Sequence, residues 1–149
     1  MYLKTRLHRH LMETIYSRKC RLEEQLHDMH LESKQSNKGS AGDKHEVGIE
    51  MANIELKKLQ SQISLLDQQL FSLKKLSPDH QNKALRLGSL FKLDNTWYYC
   101  SVAHGQILFE HTHYYCLSPE APLFKALKGK KINQTVQFNG RDWHITQIL

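Results

Sequence analysis

The sequence is poor in cysteine, in turn-forming residues and in long apolar runs, and each scarcity excludes a class of protein. The three cysteines, Cys20, Cys100 and Cys116, are far apart and form no CxxC motif, so neither a disulfide framework nor a zinc ribbon is expected. No apolar run follows the basic residues near the start, so no secretory signal is expected. The longest stretch without acidic or basic residues, 95–109, is too short and too polar to span a bilayer. We therefore expect a cytoplasmic protein with no membrane partner.

The composition predicts a large share of exposed, regular helix. Apolar residues make up 40% of the chain, charged residues 24%, and the mean hydropathy is −0.59. With only seven glycines and three prolines, the chain is neither one compact core nor a disordered tract. The net charge of +6 indicates an acidic partner, such as nucleic acid or the surface of a nucleic-acid machine.

Two long helices are predicted in the first half of the chain. Apolar residues alternate at spacings of three and four from Ile49 to Leu73, as on a helix packed along its whole length against another helix. A looser heptad pattern precedes it, with Lys19 at one a position. The segment 33–42 between them is polar and rich in small residues, which predicts a connection and therefore an antiparallel coiled-coil hairpin. The two sets of stripe positions are Leu3, Leu7, Leu11, Met12, Ile15, Leu22, Leu26 and Met29, then Ile49, Ala52, Leu56, Leu59, Ile63, Leu66, Leu70 and Leu73.

The second half predicts a small α+β domain. After Pro78 the helical pattern gives way to runs rich in aromatic and β-branched residues. Asn139-Gly140 predicts a two-residue type I′ turn that pairs Val136 with Trp143. The predicted strands cover residues 87–93, 97–103, 107–109, 114–117, 132–138 and 143–149.

A short helix is predicted inside this second half. Ser118-Pro119 has the chemistry of an N-cap followed by a first helical residue, and the helix is expected to end near Gly129. Leu123, Phe124 and Leu127 would form its buried stripe. The predicted domain organisation is a hairpin over 1–76 with its tip at about 34–46, a linker over 77–86, and the α+β domain over 87–149.

The charge is unevenly distributed along the chain. Residues 1–21 carry six basic side chains against one acidic side chain, whereas residues 22–56 carry three basic against eight acidic. Residues 57–76 and 77–149 each return to a net +3. In a hairpin the acidic zone is the half that contains the connection, which does not favour nucleic acid bound along its whole length. A solvated helix surface with no partner explains the same pattern.

The most informative residues lie at the predicted start of the second helix. Asp43 and Glu46 there have the spacing of a capping box, in which each side chain accepts a backbone hydrogen bond at the helix start. Alternatively, two carboxylates on one turn could hold a hard divalent cation, provided that a second molecule supplies the remaining oxygen ligands. Two ligands alone are too few for a stable site in the free protein.

The order of these features resembles the Gre family of bacterial transcript-cleavage factors. Gly42, Asp43 and Glu46 match the family's Gly-Asp-x-x-Glu motif, and Ser118-Pro119 followed by a short helix and Gly129-Lys130 is similar to its C-terminal pattern. The resemblance covers the chain from about Leu3 to its end. It implies an N-terminal antiparallel coiled coil followed by an FKBP-like α+β domain.

The resemblance also implies a function. The hairpin would enter the secondary channel of RNA polymerase, where Asp43 and Glu46 would help to hold the second Mg²⁺ and orient a water for hydrolysis of backtracked RNA. The factor would have no enzymatic activity of its own, would bind no cofactor stably and would act as a monomer, meeting the RNA 3′ end only indirectly. Lys44, His45, Ser118 and Pro119 are the further expected binding residues.

Two departures from the family pattern keep other functions open. Val47-Gly48-Ile49-Glu50 follows the motif where the family usually has Asn-Ala-Glu-Tyr, and Asn133-Gln134 replaces an expected Gly-Asp. A relative of the same shape could occupy the polymerase channel without stimulating cleavage. A coiled-coil interaction protein, in which Asp43 and Glu46 only cap a helix, is the third hypothesis.

The ten histidines raise a metal hypothesis of their own. His8 and His10, and likewise His111 and His113, form HxH pairs, but no cysteine or carboxylate cluster accompanies them. Structural or surface roles are therefore expected for all except His45, which lies inside the motif.

Overall fold

The computed structural model describes residues 2–36 and 42–149, with the side chains of Ser36 and Asp43 outside that description. The chain divides into two compact units, one formed by Met1–Glu13 with Phe71–Leu149 and the other by Thr14–Leu70. We call the first the sheet unit and the second the hairpin unit. The division into domains at residues 76 and 87 stays a prediction.

Both predicted helices are present. Helix α1 spans Tyr2–Ser36 and helix α2 spans Asp43–Lys74. The helical pattern extends further than the sequence indicated, because residues 33–36 of the predicted connection belong to α1. Residues 37–41 of that connection lie outside the described residues, and Gly42 directly precedes α2.

The hairpin unit consists of two antiparallel helical segments. The Nζ atom of Lys19 on α1 lies 2.6 Å from an Oδ1 atom of Asp67, near the end of α2, while residues 29–33 lie beside residues 44–56. Ile15 and Leu59 are buried, as the heptads predicted. Lys19, the charged residue at an a position, is therefore accommodated by an ion pair across the helices.

The apolar seam between the helices, formed by the a/d positions named above, is closed at only one end of the hairpin unit. Leu59, Leu66 and Leu70 are buried, whereas Ile49 is 42% exposed. The prediction that Ile49 packs in a closed seam is therefore wrong. The neighbouring residues Gly48 and Ala52 are small, so the two helices enclose an open cleft at this level instead of interlocking side chains.

The sheet unit contains all six predicted strands. They form one mixed sheet in the order β3-β4-β2-β1-β6-β5, in which β2 and β4 are parallel and the other neighbours are antiparallel. A long helical hairpin followed by this sheet confirms the α+β class, while the FKBP-like assignment stays a prediction. The strands are β1 Leu90–Leu93, β2 Thr96–Cys100, β3 Gly105–Phe109, β4 Thr112–Leu117, β5 Thr135–Phe138 and β6 Arg141–Ile148.

The Asn139-Gly140 turn is confirmed, including its register. Both residues have positive φ, 51° and 73°, as a type I′ turn requires, and Val136 pairs with Trp143 across it. Val136 is part of the core of the sheet unit and Trp143 packs against that core, so the turn sets which face of the two strands is buried.

The predicted start of the short helix is wrong. Helix α3 spans Pro122–Leu127 with Ala121 at the N-cap and Pro122 at the first position, not with Ser118 and Pro119 there. A proline disfavours helical backbone in the residue before it, and Ala121 is extended with ψ of 130°. A helix begun at Pro119 would therefore be interrupted at Ala121. Phe124 and Leu127 are buried as predicted, and Leu123 packs at the core's edge.

The core of the sheet unit lies between the sheet and α3. Phe91, Leu93 and Ile145 from the strands meet Phe124 and Leu127 from α3. Cys100 packs in the same core, and burial raises the pKa of its thiol to about 12, so the thiol stays protonated. Among the described residues, no helix has the length and hydropathy to cross a membrane.

Replacing Gly48 with alanine should stabilise the hairpin unit. Gly48 lies inside α2, and a Cβ atom built there meets no atom within 4 Å. Alanine loses less backbone freedom on folding than glycine, so we expect a gain of about 0.5–1 kcal/mol in the free energy of unfolding, measured by urea denaturation. Gly129→Ala is the matched control, because its φ of 82° disfavours a side chain and should make that variant less stable. A loss of stability in Gly48→Ala would contradict the prediction.

Candidate functional site

The Gly-Asp-x-x-Glu motif forms the first turn of α2. The carbonyl oxygen of Gly42 accepts hydrogen bonds from the backbone N–H groups of His45 (2.8 Å) and Glu46 (3.2 Å). The second bond is the first α-helical bond of α2, which makes Gly42 the N-cap, Asp43 the first helical residue and Glu46 the fourth. A capping box needs the acidic pair at the N-cap and third positions, so the backbone of α2 does not match that interpretation.

The backbone places both acidic residues of the motif on one side of the helix. Residues three apart on a helix are neighbours on its surface, and the first turn is the positive end of the helix dipole. Glu46 is exposed to solvent, whereas the side chain of Asp43 lies outside the described residues. The positive helix end therefore favours negatively charged side chains at these positions.

An open cleft lies beside the motif, between the two helices of the hairpin unit. Its volume is about 580 Å³. Its floor is apolar and its rim is polar, since Lys44 is exposed there and His45 is half-buried. The cleft is lined in part by Met29, Glu32, Lys44, His45, Ile49 and Leu56. Two of the predicted binding residues, Lys44 and His45, thus lie at one concave surface.

The described residues form no preassembled metal centre. No group of three or more histidine, cysteine, aspartate or glutamate side chains lies close enough together there to hold a metal ion. The motif by itself offers two carboxylates, which are hard oxygen ligands of the kind that Mg²⁺ prefers but fewer than its octahedral shell needs. The metal-binding role of Asp43 and Glu46 stays a prediction.

The other two predicted binding residues, Ser118 and Pro119, lie in the sheet unit. Both are half-buried, between the end of β4 and the start of α3. The Ser118 carbonyl accepts a hydrogen bond of 3.1 Å from the Ala121 N–H, so the segment forms a turn rather than a helix start. Their binding role stays a prediction.

Together, these features define an α+β protein with a helical hairpin whose second helix begins in a Gly-Asp-x-x-Glu motif. No protein-family model and no curated protein matches the sequence. Among solved structures, one of the transcription factor Gfh1 covers 92% of this chain and 92% of its own at 18% identity and a TM-score of 0.35. Gfh1 of Thermus aquaticus covers 91% and 92% at 15% identity and a TM-score of 0.34. Both likenesses are too low to carry an argument about fold or function.

A buried polar cluster in the sheet unit was missed by the sequence analysis. Lys4 and His8, one turn apart on α1, are 1% and 7% exposed. Lys4 Nζ donates to the backbone carbonyl of His80, and His8 Nδ1 lies 2.7 Å from the hydroxyl oxygen of the buried Tyr99. The heptad pattern predicted burial only for the neighbouring Leu7 and Leu11. The spacing of four residues between Lys4 and His8 is the signal that both lie on the same helix face as those leucines.

Burial governs the protonation of both residues. The pKa of Lys4 falls to about 8, chiefly because of burial and also because of the Arg86 guanidinium, while the Asp79 carboxylate opposes the change. Burial also lowers the pKa of His8, against the Asp79 carboxylate and a hydrogen bond to the Leu73 backbone. His8 is therefore neutral at neutral pH, joining the start of α1 to β2.

The stability of the protein should fall in mild acid because of His8. The unfolded chain binds the proton in the usual histidine range, whereas the folded chain binds it only at lower pH, so stability is lost as the pH falls from the unfolded towards the folded pKa. One proton gives a slope of at most about 1.4 kcal/mol per pH unit.

Urea denaturation between about pH 7 and about pH 5 checks this expectation. His8→Gln removes the titrating group. It should be less stable than the wild type near pH 7, by about 1–3 kcal/mol, because a buried partner loses its hydrogen bond. Its stability should also change less with pH. If the free energies of unfolding of the two proteins changed equally with pH, the assignment of the pH dependence to His8 would be wrong.

Proposed function

We propose that this chain is a transcription factor of the Gre type that binds RNA polymerase and stimulates cleavage of backtracked RNA. The observation that supports the proposal is the position of the Gly-Asp-x-x-Glu motif. It forms the first turn of α2 in an antiparallel helical hairpin, immediately after the connection between the helices. In this proposal the motif enters the secondary channel first and the protein acts in the cytoplasm, as a monomer and without enzymatic activity of its own.

The chemistry of the motif fits a role at a shared active site. Asp43 and Glu46 occupy the first and fourth helical positions and would act together, and the polymerase would supply the remaining oxygen ligands. The bound Mg²⁺ would supply Lewis-acid activation and charge neutralisation during phosphodiester hydrolysis. Asp43 and Glu46 together would orient the attacking water, and the positive end of the helix dipole would favour two negatively charged side chains there.

The residues around the motif would contact the complex. Lys44 is exposed and His45 is half-buried at the rim of the cleft, and each can donate a hydrogen bond to a phosphate oxygen of the displaced RNA end. Ser118 and Pro119 would bind the polymerase from the sheet unit.

A factor that occupies the channel without stimulating cleavage is the second candidate. The observation in its favour is the segment after the motif, where Val47 is 56% exposed and Ile49 is 42% exposed. Apolar side chains there can bind a protein surface but cannot hold a metal ion or activate water. The two candidates differ in cleavage and agree in polymerase binding.

Removing the two carboxylates should abolish stimulated cleavage. The double variant Asp43→Asn and Glu46→Gln keeps the side-chain volumes but loses the anionic ligands, so we expect the rate of RNA cleavage in stalled, backtracked complexes to fall at least about 100-fold. Binding to core RNA polymerase, measured by fluorescence anisotropy, should change little.

The matched control is the double variant Glu24→Gln and Asp28→Asn, which removes two exposed carboxylates from α1. It should cleave like the wild type. Full cleavage by the motif variant would refute the metal role. If wild-type protein binds polymerase without stimulating cleavage, the second candidate stands. If it does not bind, both fall and the hairpin is an interaction module of another kind.

A further inference from the structure

Four lysines lie close together at the end of α3 and in the segment that follows it. Lys125 lies in the last turn of α3 and Lys128 is the C-cap residue, so the two are three residues apart, the spacing of neighbours on a helix surface. Lys130 and Lys131 come directly after Gly129, and all four lysines are exposed. We call these four residues the lysine cluster.

The backbone that carries the lysine cluster is held by hydrogen bonds. The Gly129 N–H donates to the Leu85 carbonyl (2.7 Å), and the Leu85 N–H donates to the Lys130 carbonyl (2.8 Å). The Lys131 N–H donates to the side-chain Oε1 atom of Gln134 (2.7 Å). Leu85 is itself part of the core of the sheet unit, and Gly129 has a φ of 82°, which glycine adopts without strain. Binding a ligand would therefore order lysine side chains but not the backbone, which lowers its entropic cost.

Most carboxylates of the second half of the chain are engaged away from the lysine cluster. Within the part of the chain that the structure describes, none of the four lysines forms an ion pair. Residues 77–149 contain five acidic side chains. Three of these five are bonded to side chains elsewhere, namely Asp79 to Thr5, Asp94 to Arg141 and Glu110 to Arg6.

The other two carboxylates leave the lysine cluster with an excess of positive charge. Asp142 precedes Trp143 on β6, and Trp143 packs against the core that includes α3, so Asp142 faces the opposite side of the sheet. Glu120 lies close to the cluster, because it and Lys128 both shift the pKa of the Cys100 thiol, Glu120 upwards and Lys128 downwards. Four positive charges thus face one negative charge. Their mutual repulsion destabilises the folded chain, and an anionic ligand would relieve it.

The residue types of this surface favour nucleic acid over a protein partner. Protein interfaces are depleted in lysine and depend on aromatic and arginine anchors, whereas lysine ammonium groups commonly bind phosphate oxygens. Ile132 is 48% exposed, but a single exposed apolar side chain is no anchor set. Single strands bind by stacking bases on exposed aromatic rings, and the aromatic residue of segment 120–137, Phe124, is buried. A duplex, whose bases are already stacked, needs no such ring.

We propose that the lysine cluster binds the phosphate backbone of double-stranded nucleic acid without reading its sequence. Each ammonium group donates hydrogen bonds to phosphate oxygens and releases condensed counterions from the duplex. Duplex DNA and duplex RNA share this backbone chemistry, and the experiment below includes both. The proposal goes beyond the proposed function and does not depend on it, since it uses no residue of the hairpin unit.

Fluorescence anisotropy of the full chain with a labelled DNA duplex of about 20 base pairs tests the proposal. Each neutralised phosphate contributes a slope of about −0.9 to log affinity against log salt, so four lysines predict about −3.6, or a loss of about 100-fold between about 50 and about 200 mM salt. An RNA duplex of the same length is the second arm. No binding of either duplex would overturn the proposal.

Two competing ligands separate the proposal from its alternatives. The single strand of the same sequence and a polyglutamate peptide of equal charge should each bind at least about tenfold more weakly than the better duplex. If the single strand binds as tightly, the assignment to a duplex is wrong. If polyglutamate binds as tightly, the surface recognises acidic protein and the proposal fails.

A fourfold variant locates the contact. Replacing all four lysines of the cluster with glutamine should weaken duplex binding at least about tenfold and make the salt slope shallower by about three. The matched control removes the same charge from four exposed residues of the hairpin unit, and its affinity should stay within about threefold of the wild type. Equal losses in the two variants would show that net charge alone governs binding and would refute the proposal. The control substitutions are Arg18→Gln, Arg21→Gln, Lys57→Gln and Lys58→Gln.

A variant that gains affinity completes the test, because a misfolded protein would not produce the gain. Glu120→Gln removes the negative charge beside the lysine cluster and should tighten duplex binding about twofold or more. Asp142→Asn, on the opposite side of the sheet, is its control and should change binding less. Weaker or unchanged binding by Glu120→Gln would contradict the location of the site. No assay contains polymerase and no variant alters the motif, so failure here is distinct from failure of the proposed function.

Discussion

The apolar seam between α1 and α2 is the interaction on which the hairpin unit depends. Helices of this composition are marginal alone, because most helical stability in proteins comes from packing an apolar face. Here the packing is concentrated at Ile15, Leu59, Leu66 and Leu70, each buried, where each leucine or isoleucine contributes about 1.5–3 kcal/mol. The first turn of α2 lies beyond that closed segment, where the two helices enclose the open cleft.

Helix α2 therefore has a closely packed segment in the seam and a more exposed segment near its start. Near its start, α2 is not closely packed. It borders an open cleft on one side, and the side chains of Val47, Met51 and Ile54 are exposed. Regions that bind other molecules are typically packed loosely within their own chain, because a surface buried inside the chain is not available to a partner. The Lys19–Asp67 ion pair lies on the closed side of that transition, where it gives the charged residue of the heptad pattern a partner on the facing helix.

Much of the fold could be predicted from periodicity. The heptads gave both helices, the aromatic and β-branched runs gave six strands, and Asn139-Gly140 gave the register of Val136 with Trp143. The features that periodicity did not predict are of two kinds. They depend either on a choice between two equally suitable residues or on contacts between residues far apart in the chain. Pro119 and Pro122 both suit a helix start, and only the backbone of Ala121 decides between them. The burial of Lys4 and His8 depends on Tyr99 and His80, more than seventy residues away, which no local pattern shows. At the motif, the sequence identified the residue types, and the Gly42 carbonyl determined their helical positions.

The two faces of α2 have consequences for how such a protein can change. Seam substitutions alter folding free energy, whereas the exposed positions Val47, Met51 and Ile54 bury little within the chain. Effects at separate sites add nearly independently. A substitution at those exposed positions is therefore expected to change the folding free energy little, and it needs no compensating change in the seam. The exposed face of α2 can therefore change in sequence while the fold of the hairpin unit is preserved.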